Sequence, residues 1–372
     1  MRLSIDSLLS RMRNLLAWFM VPLALLAAMP TSKAYEFTDF PPLQGMQRLT
    51  THNGEYRLDL LVRHDDARRP VLVLLPGSVC SPTFMATEQE GRTSLSSSTG
   101  IPKFSEQELG VHIAMLERRN LISLERPVTD TGSSIADYVR NHPCTEQYGG
   151  LTLEHRVQDT VAQLEYLRTQ AWAGPILLAG FSEGSDVAAA VAADPKSRAH
   201  SLLLMSGAGA SQFFDFINQH RTTGNASGVA QVFSTLDAFV SGNPPENYLG
   251  HAPERWRSFA INRTPMDTLL LSSIPVFVAH GDQDTNVPIA SIDVLVTELM
   301  RKQPERAIFY WSIPGADHSL RNNGVSIDDV YAAYIRWTLG DPQGRTYHST
   351  SAAPVDSAMK QQKALRIPAT TN

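Results

Sequence analysis

Three short motifs hold the residues best suited to nucleophilic acyl chemistry. Ser182 sits in Gly180-Phe-Ser-Glu-Gly184, between an apolar run at residues 176–179 and a small-residue helical pattern at 187–193. A strand-to-helix reversal this tight strains the serine backbone. It also lifts Oγ clear at a helix N-terminus, where N–H groups favour negative charge. The second motif, His280-Gly-Asp-Gln-Asp284-Thr-Asn-Val-Pro288, follows an apolar run at 274–279. The third, Pro314-Gly-Ala-Asp-His318, follows another at 307–313. A serine hydroxyl is a weak nucleophile until a base takes its proton. Histidine serves as that base when a carboxylate on its other ring nitrogen fixes the tautomer and stabilises the imidazolium. Asp282, Asp284 and Asp317 are all candidates for that carboxylate. Gly-x-Ser-x-Gly alone also fits a simple connecting turn, so the elements that carry the three motifs decide its meaning.

Those elements read as an α/β chain. Residues 56–63 partly alternate, as an outer strand does. Residues 71–75 form a continuous apolar run suited to a central strand, ending in Pro76-Gly77-Ser78. A helix is expected over 106–119 and a short strand over 121–124. A helix over 152–169 has Val157, Val161, Leu164 and Leu167 on its apolar face, with acids and bases opposite. Strands over 201–205, 274–279 and 307–313 and helices over 289–301 and 327–339 complete the alternation. The pattern predicts a mostly parallel twisted sheet with helices on both faces. Serine, acid and histidine then share the C-terminal edge of the strands, where such sheets bind ligands.

The alternation breaks over residues 207–272, which hold Phe213, Phe216, Phe239 and Trp256 among Gly, Pro and Asn turns. This reads as a helical cap insertion with its own small core and some aromatics facing a ligand. The α/β core is thus expected over 35–206 and 273–340. Within it, residues 35–55 read as an extended lead-in and the Ser/Thr/Gly-rich 80–105 as a long functional loop or insertion. The polar segment 341–372 is expected to be weakly ordered.

With 372 residues and a net charge of −5, the chain has no basic signature for nucleic acid. Arg2, Arg11 and Arg13, the apolar run 15–28 and Ser32-Lys-Ala34 read as a cleavable secretory signal covering 1–34. The run is short for a membrane span and Pro22 interrupts it, so no stable membrane insertion is expected after cleavage. Periplasmic or secreted location follows, and there Cys80 and Cys144 are candidates for one disulfide. Neither His/Cys metal-ligand spacing nor a nucleotide-binding glycine pattern occurs, so no metal or cofactor is expected. His112, His142, His155 and His251 read as surface or loop residues.

In combination the motifs resemble the α/β-hydrolase family over roughly residues 56–340. The Ser182 turn looks like its nucleophile elbow, 280–288 like its acid turn, Gly315-Ala-Asp-His318 like its histidine loop, and Leu75-Pro-Gly-Ser78 like its oxyanion strand end. The resemblance implies Ser182 as nucleophile, His318 as base and, by spacing before Val-Pro, Asp284 as the acid. The N–H groups of Glu183 and Ser78 are assigned as oxyanion donors. Three departures stand out. Phe181 replaces a frequent histidine, Pro-Gly-Ser replaces a common His-Gly, and Glu125-Arg126-Pro127-Val128 stands where relatives often carry Asp-x-Pro-Gly. The implied activity is hydrolysis of carboxylic esters or related acyl bonds through an acyl-enzyme, on a small-molecule acyl substrate. A peptidase, an acyltransferase or a non-catalytic periplasmic binding protein with this fold are the alternatives. A peptidase needs an ionic site for a peptide terminus, and Glu183 and Arg126 read instead as surface salt-bridge partners.

Overall fold

The computed structural model describes residues 45–350, apart from 79–81, 90–91, 98–101, 105, 120, 122–123, 129–150 and 323. The proposed signal segment, His142 and the Cys80–Cys144 pair lie outside the described residues. The strands are β1 (Gln47–Asn53), β2 (Tyr56–Arg63), β3 (Arg69–Leu75), β4 (Phe84–Gln89), β5 (Arg92–Ser97), β6 (His112–Leu116), β7 (Leu124–Val128), β8 (Ala173–Phe181), β9 (Ala199–Met205), β10 (Val276–Gly281), β11 (Ile308–Ile313) and β12 (Arg345–Ser349). The helices are α1 (Glu106–Leu109), α2 (Leu153–Leu167), α3 (Glu183–Ala193), α4 (Gln212–Thr222), α5 (Ala226–Val240), α6 (Pro253–Trp256), α7 (Pro265–Leu269), α8 (Ile289–Lys302) and α9 (Ile327–Leu339).

The main sheet has nine strands in the order β1-β2-β6-β3-β8-β9-β10-β11-β12. β1 and β2 are antiparallel and β2 meets β6 antiparallel, whereas every pairing from β6 to β12 is parallel. Because strand side chains alternate, each central strand feeds two cores. Val71, Val73, Leu178, Leu202 and Val276 face one, with Leu164 of α2, Val187 of α3 and Leu295 of α8. Leu72, Leu74, Leu177, Leu203 and Phe277 face the other, with Tyr331 and Tyr334 of α9. Each such aliphatic side chain is fully shielded, and burial of this kind contributes about 1.5–3 kcal/mol per residue. The sheet is therefore a rigid, double-sided platform for the loops at its strand ends.

Four stretches differ from what the sequence predicts. Where a helix is expected over 106–119, α1 stops after Leu109 and Gly110 turns the chain at φ +67°. His112-Ile-Ala-Met-Leu116 then forms β6, wholly buried, so neither helical nor strand periodicity shows in its sequence. His112 is accordingly a core residue whose Nε2–H donates to Ala67 O at 2.8 Å, not a surface one. Within the lead-in, β1 is folded onto β2 by the Asn53-Gly54 turn, with Gly54 at φ +60°. In the 80–105 loop, β4 and β5 form a hairpin, and β4 pairs with β7 in a small second sheet. Finally, residues 345–349 of the expected weakly ordered tail form β12 on the edge of β11, where backbone pairing rather than apolar content holds it.

Residues 207–272 contribute α4 to α7. Ser211 caps α4 by accepting from Phe214 N (3.1 Å), and Asn225 caps α5 by accepting from Gly228 N (2.9 Å). Phe213, Val232, Phe239, Trp256 and Ala260 pack into a third, separate core, with Tyr248 and Phe216 at its side. Most aromatics of this segment are thus used in holding its own helices together.

Candidate active site

Ser182 closes β8 and caps α3 with φ +53° and ψ −127°, a backbone strain that typically costs about 1–3 kcal/mol. Its surroundings enforce the conformation. Ser182 N donates to Met205 O at 2.8 Å, and Ser182 O accepts from Ser185 N at 2.8 Å. Neighbouring glycines permit this approach. A Cβ on Gly184 would lie 2.3 Å from Leu75 O, and one on Gly207 would lie 2.1 Å from Ser182 O. Any side chain at either position would push the elbow off the β3 and β9 strand ends.

The structure brings Ser182, His318 and Asp284 together across three strand ends. His318 Nε2 lies 3.1 Å from Ser182 Oγ, and His318 Nδ1 lies 2.8 Å from Asp284 Oδ2. The Asp284 carboxylate is fully buried, and its Oδ1 accepts from the N–H of Asn286 (2.8 Å) and Val287 (3.0 Å). Those bonds leave Oδ2 to accept a hydrogen bond from Nδ1–H, the tautomer in which Nε2 faces Ser182 without a proton. Asp282 accepts instead from Gly315 N at 2.7 Å, tying acid turn to histidine loop. Asp317 accepts from Ser319 N and Arg321 N of its own loop. Phe181 packs its ring 5.4 Å from the His318 ring. His280, buried beneath, reaches Val287 O at 2.8 Å. Burial pushes its pKa down, so it is neutral and supports the acid turn through the Val287 carbonyl.

The other two sequence candidates are Ser78 and Glu183. The Pro76-Gly77-Ser78 segment crosses over the elbow, and a Cβ on Gly77 would lie 3.2 Å from Ser182 Cβ. Glu183 is the first residue of α3, so its N–H has no partner within the helix. Its side chain is not part of a surface salt bridge. Glu183 Oε1 accepts from Arg156 Nη1 at 2.6 Å, and Oε2 pairs with Arg255; all three side chains are at least nine-tenths buried. Arg126, the other expected surface partner, lies in β7, and its side chain is outside the described residues.

Arg156 is the main residue that sequence reasoning missed. The polar residues of α2 read as solvated, yet Arg156, Asp159, Thr160 and Gln163, which flank its apolar stripe, are all buried. They recur at helical spacing and serve the strand ends. Arg156 bonds Pro76 O, Asp159 pairs with Arg119 at 2.5 Å, and Gln163 donates to Asp59 O and Glu117 O. That i, i+3, i+4, i+7 repeat of hydrogen-bonding residues was the available signal. The strand actually preceding this loop is β6, so Glu117-Arg118-Arg119, and not 125–128, follows the third central strand.

A cavity of about 380 Å³ opens in front of Ser182. Phe216, Leu249 and Trp256 from the 207–272 segment line it, together with Asp186, Gln212 and Asp215. Asp186 accepts from Ala208 N (3.0 Å) and Gln212 Nε2 (2.9 Å). Burial nevertheless raises its pKa to about 6, and burial also raises that of Asp215 well above the ordinary carboxylate range. For Asp186 the folded value exceeds the ordinary 3.8, so the fold holds this proton more tightly than the unfolded chain does. Stability from this group is full below about pH 4 and is lost as pH rises through 6, by about 3 kcal/mol. An Asp186→Asn variant is therefore expected to gain stability over the wild type between pH 5 and pH 8 in thermal melts. A difference that stays constant across that range would contradict the assignment.

No protein-family model and no curated protein matches the chain. Solved structures do. Acylaminoacyl peptidase from Pyrococcus horikoshii is 14% identical and superposes with a TM-score of 0.50 over 80% of this chain and 41% of that one. Est1E from Butyrivibrio proteoclasticus is 16% identical, with a TM-score of 0.48 over 78% of this chain and 97% of that one. At such identities the likeness concerns architecture only. Together with the strand order, the strained elbow and the strand-end loops, it gives this chain the α/β-hydrolase fold.

Proposed function

We propose that the protein is an exported serine hydrolase that cleaves carboxylic esters or related acyl bonds through an acyl-enzyme. One observation carries this reading: a continuous hydrogen-bonded relay from Asp284 through His318 to Ser182 Oγ, at a strained elbow that faces an open cavity. In the mechanism, Ser182 Oγ attacks the acyl carbon while His318 Nε2 takes its proton. The N–H groups of Ser78 and Glu183 receive the charge that develops on the carbonyl oxygen. His318 then gives the proton to the leaving alcohol, and water repeats the sequence to free the acid.

Ester cleavage is favoured over peptide cleavage because Glu183, the acid beside the nucleophile, is already taken up by Arg156 and Arg255. The polar wall formed by Asp186, Gln212 and Asp215 suits a compact substrate better than a long alkyl chain. Rapid-mixing kinetics with an activated acetyl ester tests this reading: a stoichiometric burst of alcohol is expected, and weaker turnover of the decanoyl ester. Absence of turnover on short and long esters alike would overturn it. Export rests on the sequence of residues 1–34. The mature chain is expected to begin at Tyr35, and N-terminal sequencing that finds Met1 retained would refute it.

A further inference from the structure

We propose that two buried arginines, Arg118 and Arg156, are the positioning residues of the oxyanion site, fixing the peptide that carries the Ser78 N–H against the elbow. The inference rests on the serine-hydrolase reading above. Its two donors come from segments more than a hundred positions apart in the chain, so something must set their spacing to a fraction of an ångström. Backbone contact does part of this, since Gly184 lies directly beneath Leu75 O and Pro76 O.

The arginines do the rest. Arg118 Nη1 donates to Gly77 O at 2.9 Å. The Gly77 carbonyl and the Ser78 N–H belong to one planar trans peptide and point in opposite directions. Holding the carbonyl therefore aims the N–H. Arg156 Nη2 donates to Pro76 O at 2.7 Å, while its Nη1 holds the Glu183 carboxylate at 2.6 Å. A single rigid guanidinium thus spans the peptide before one donor segment and the side chain of the residue that supplies the other donor. Both arginines are buried to within a few per cent, Arg118 and Arg156 each 4% exposed, so solvent does not screen these bonds. The two acceptors are held by separate Nη atoms of one planar fork, a fixed spacing that the compact ammonium of a lysine does not reproduce. Arg118 also lies beside the buried Glu117, whose Oε1 accepts from Arg118 N at 3.1 Å and whose carboxylate holds Thr83. The donor segment is therefore braced from the β6 strand end and from α2 together.

The test compares an oxygen ester with its thiono counterpart, whose C=S sulfur is a poor hydrogen-bond acceptor and gains little from oxyanion donors. Full-length wild type, Arg118→Lys, Arg156→Lys and Arg156→Met are assayed on both substrates. The lysine variants keep the buried charge and guard against misfolding. Because a donor is displaced and not removed, kcat on the oxygen ester is expected to fall about ten- to hundredfold with little change in KM. The thionoester rate should fall far less, so the ratio of the two rates contracts. If both substrates lose rate equally, or neither does, the arginines have no positioning role. A wild type inert on the oxygen ester would instead sink the hydrolase reading itself, a distinct outcome.

Discussion

Replacing Ser182 by alanine is expected to lower ester turnover by about a millionfold, the scale seen when a nucleophile that acts as one unit with its base is removed. The fold gives a reason to expect a clean result. Ser182 Oγ makes no capping bond to α3, and the strained backbone is held by main-chain bonds and by the close approach of Gly184 and Gly207. Alanine can occupy that backbone at a cost similar to that of serine. The melting temperature should therefore stay close to the wild-type value while the acyl burst disappears. Residual hydrolysis would come from the oxyanion donors and binding alone. Ser78 lines the same cavity, but the hydroxyl paired with His318 Nε2 is that of Ser182.

The second large effect is expected at Asp284. Asp284→Asn is isosteric, and its oxygen would keep the two bonds from the N–H groups of Asn286 and Val287. Its NH2 must then face His318 Nδ1, where a donor now meets a nitrogen that previously donated. The imidazole responds by moving its proton to Nε2, the wrong tautomer for accepting from Ser182. Turnover is expected to drop about ten-thousandfold, the loss typical when the acid can no longer fix the tautomer. The loss should appear in kcat, and high pH should not restore it in the way it restores a base that is merely protonated. Steady-state kinetics from pH 6 to pH 10 measures this. A variant within tenfold of wild type would show that Asp284 does not orient His318. Asp282 would not take its place, since its carboxylate is engaged by Gly315 N.

The parts of the molecule that were legible in the sequence share one property: each follows from a local pattern. The runs at 71–75, 176–179, 201–205 and 274–279 are apolar because both faces of their strands are covered. The loops after them hold serine, acid and histidine because a parallel sheet presents all its C-terminal ends on one edge. What was not legible depends on contacts between distant segments. Glu183 looks like an exposed helix-start acid until Arg156 and Arg255 arrive from α2 and the 207–272 segment. The polar stripe of α2 repeats at helical spacing, yet its own fifteen residues do not name the strand ends that cover it. β6 is hidden for the opposite reason: buried on every side, it has no periodicity to tell strand from helix. β12 is held by backbone pairing to β11, which leaves no mark on side-chain composition.

In the proposed mechanism Ser182 is a nucleophile activated by His318. The most direct measurement is reaction of the full-length protein with a fluorophosphonate, followed by peptide mass mapping of the adduct. A single adduct on Ser182 is expected, formed rapidly in the wild type and lost in His318→Gln. A wild type that stays unlabelled, or an adduct on any residue other than Ser182, would contradict it.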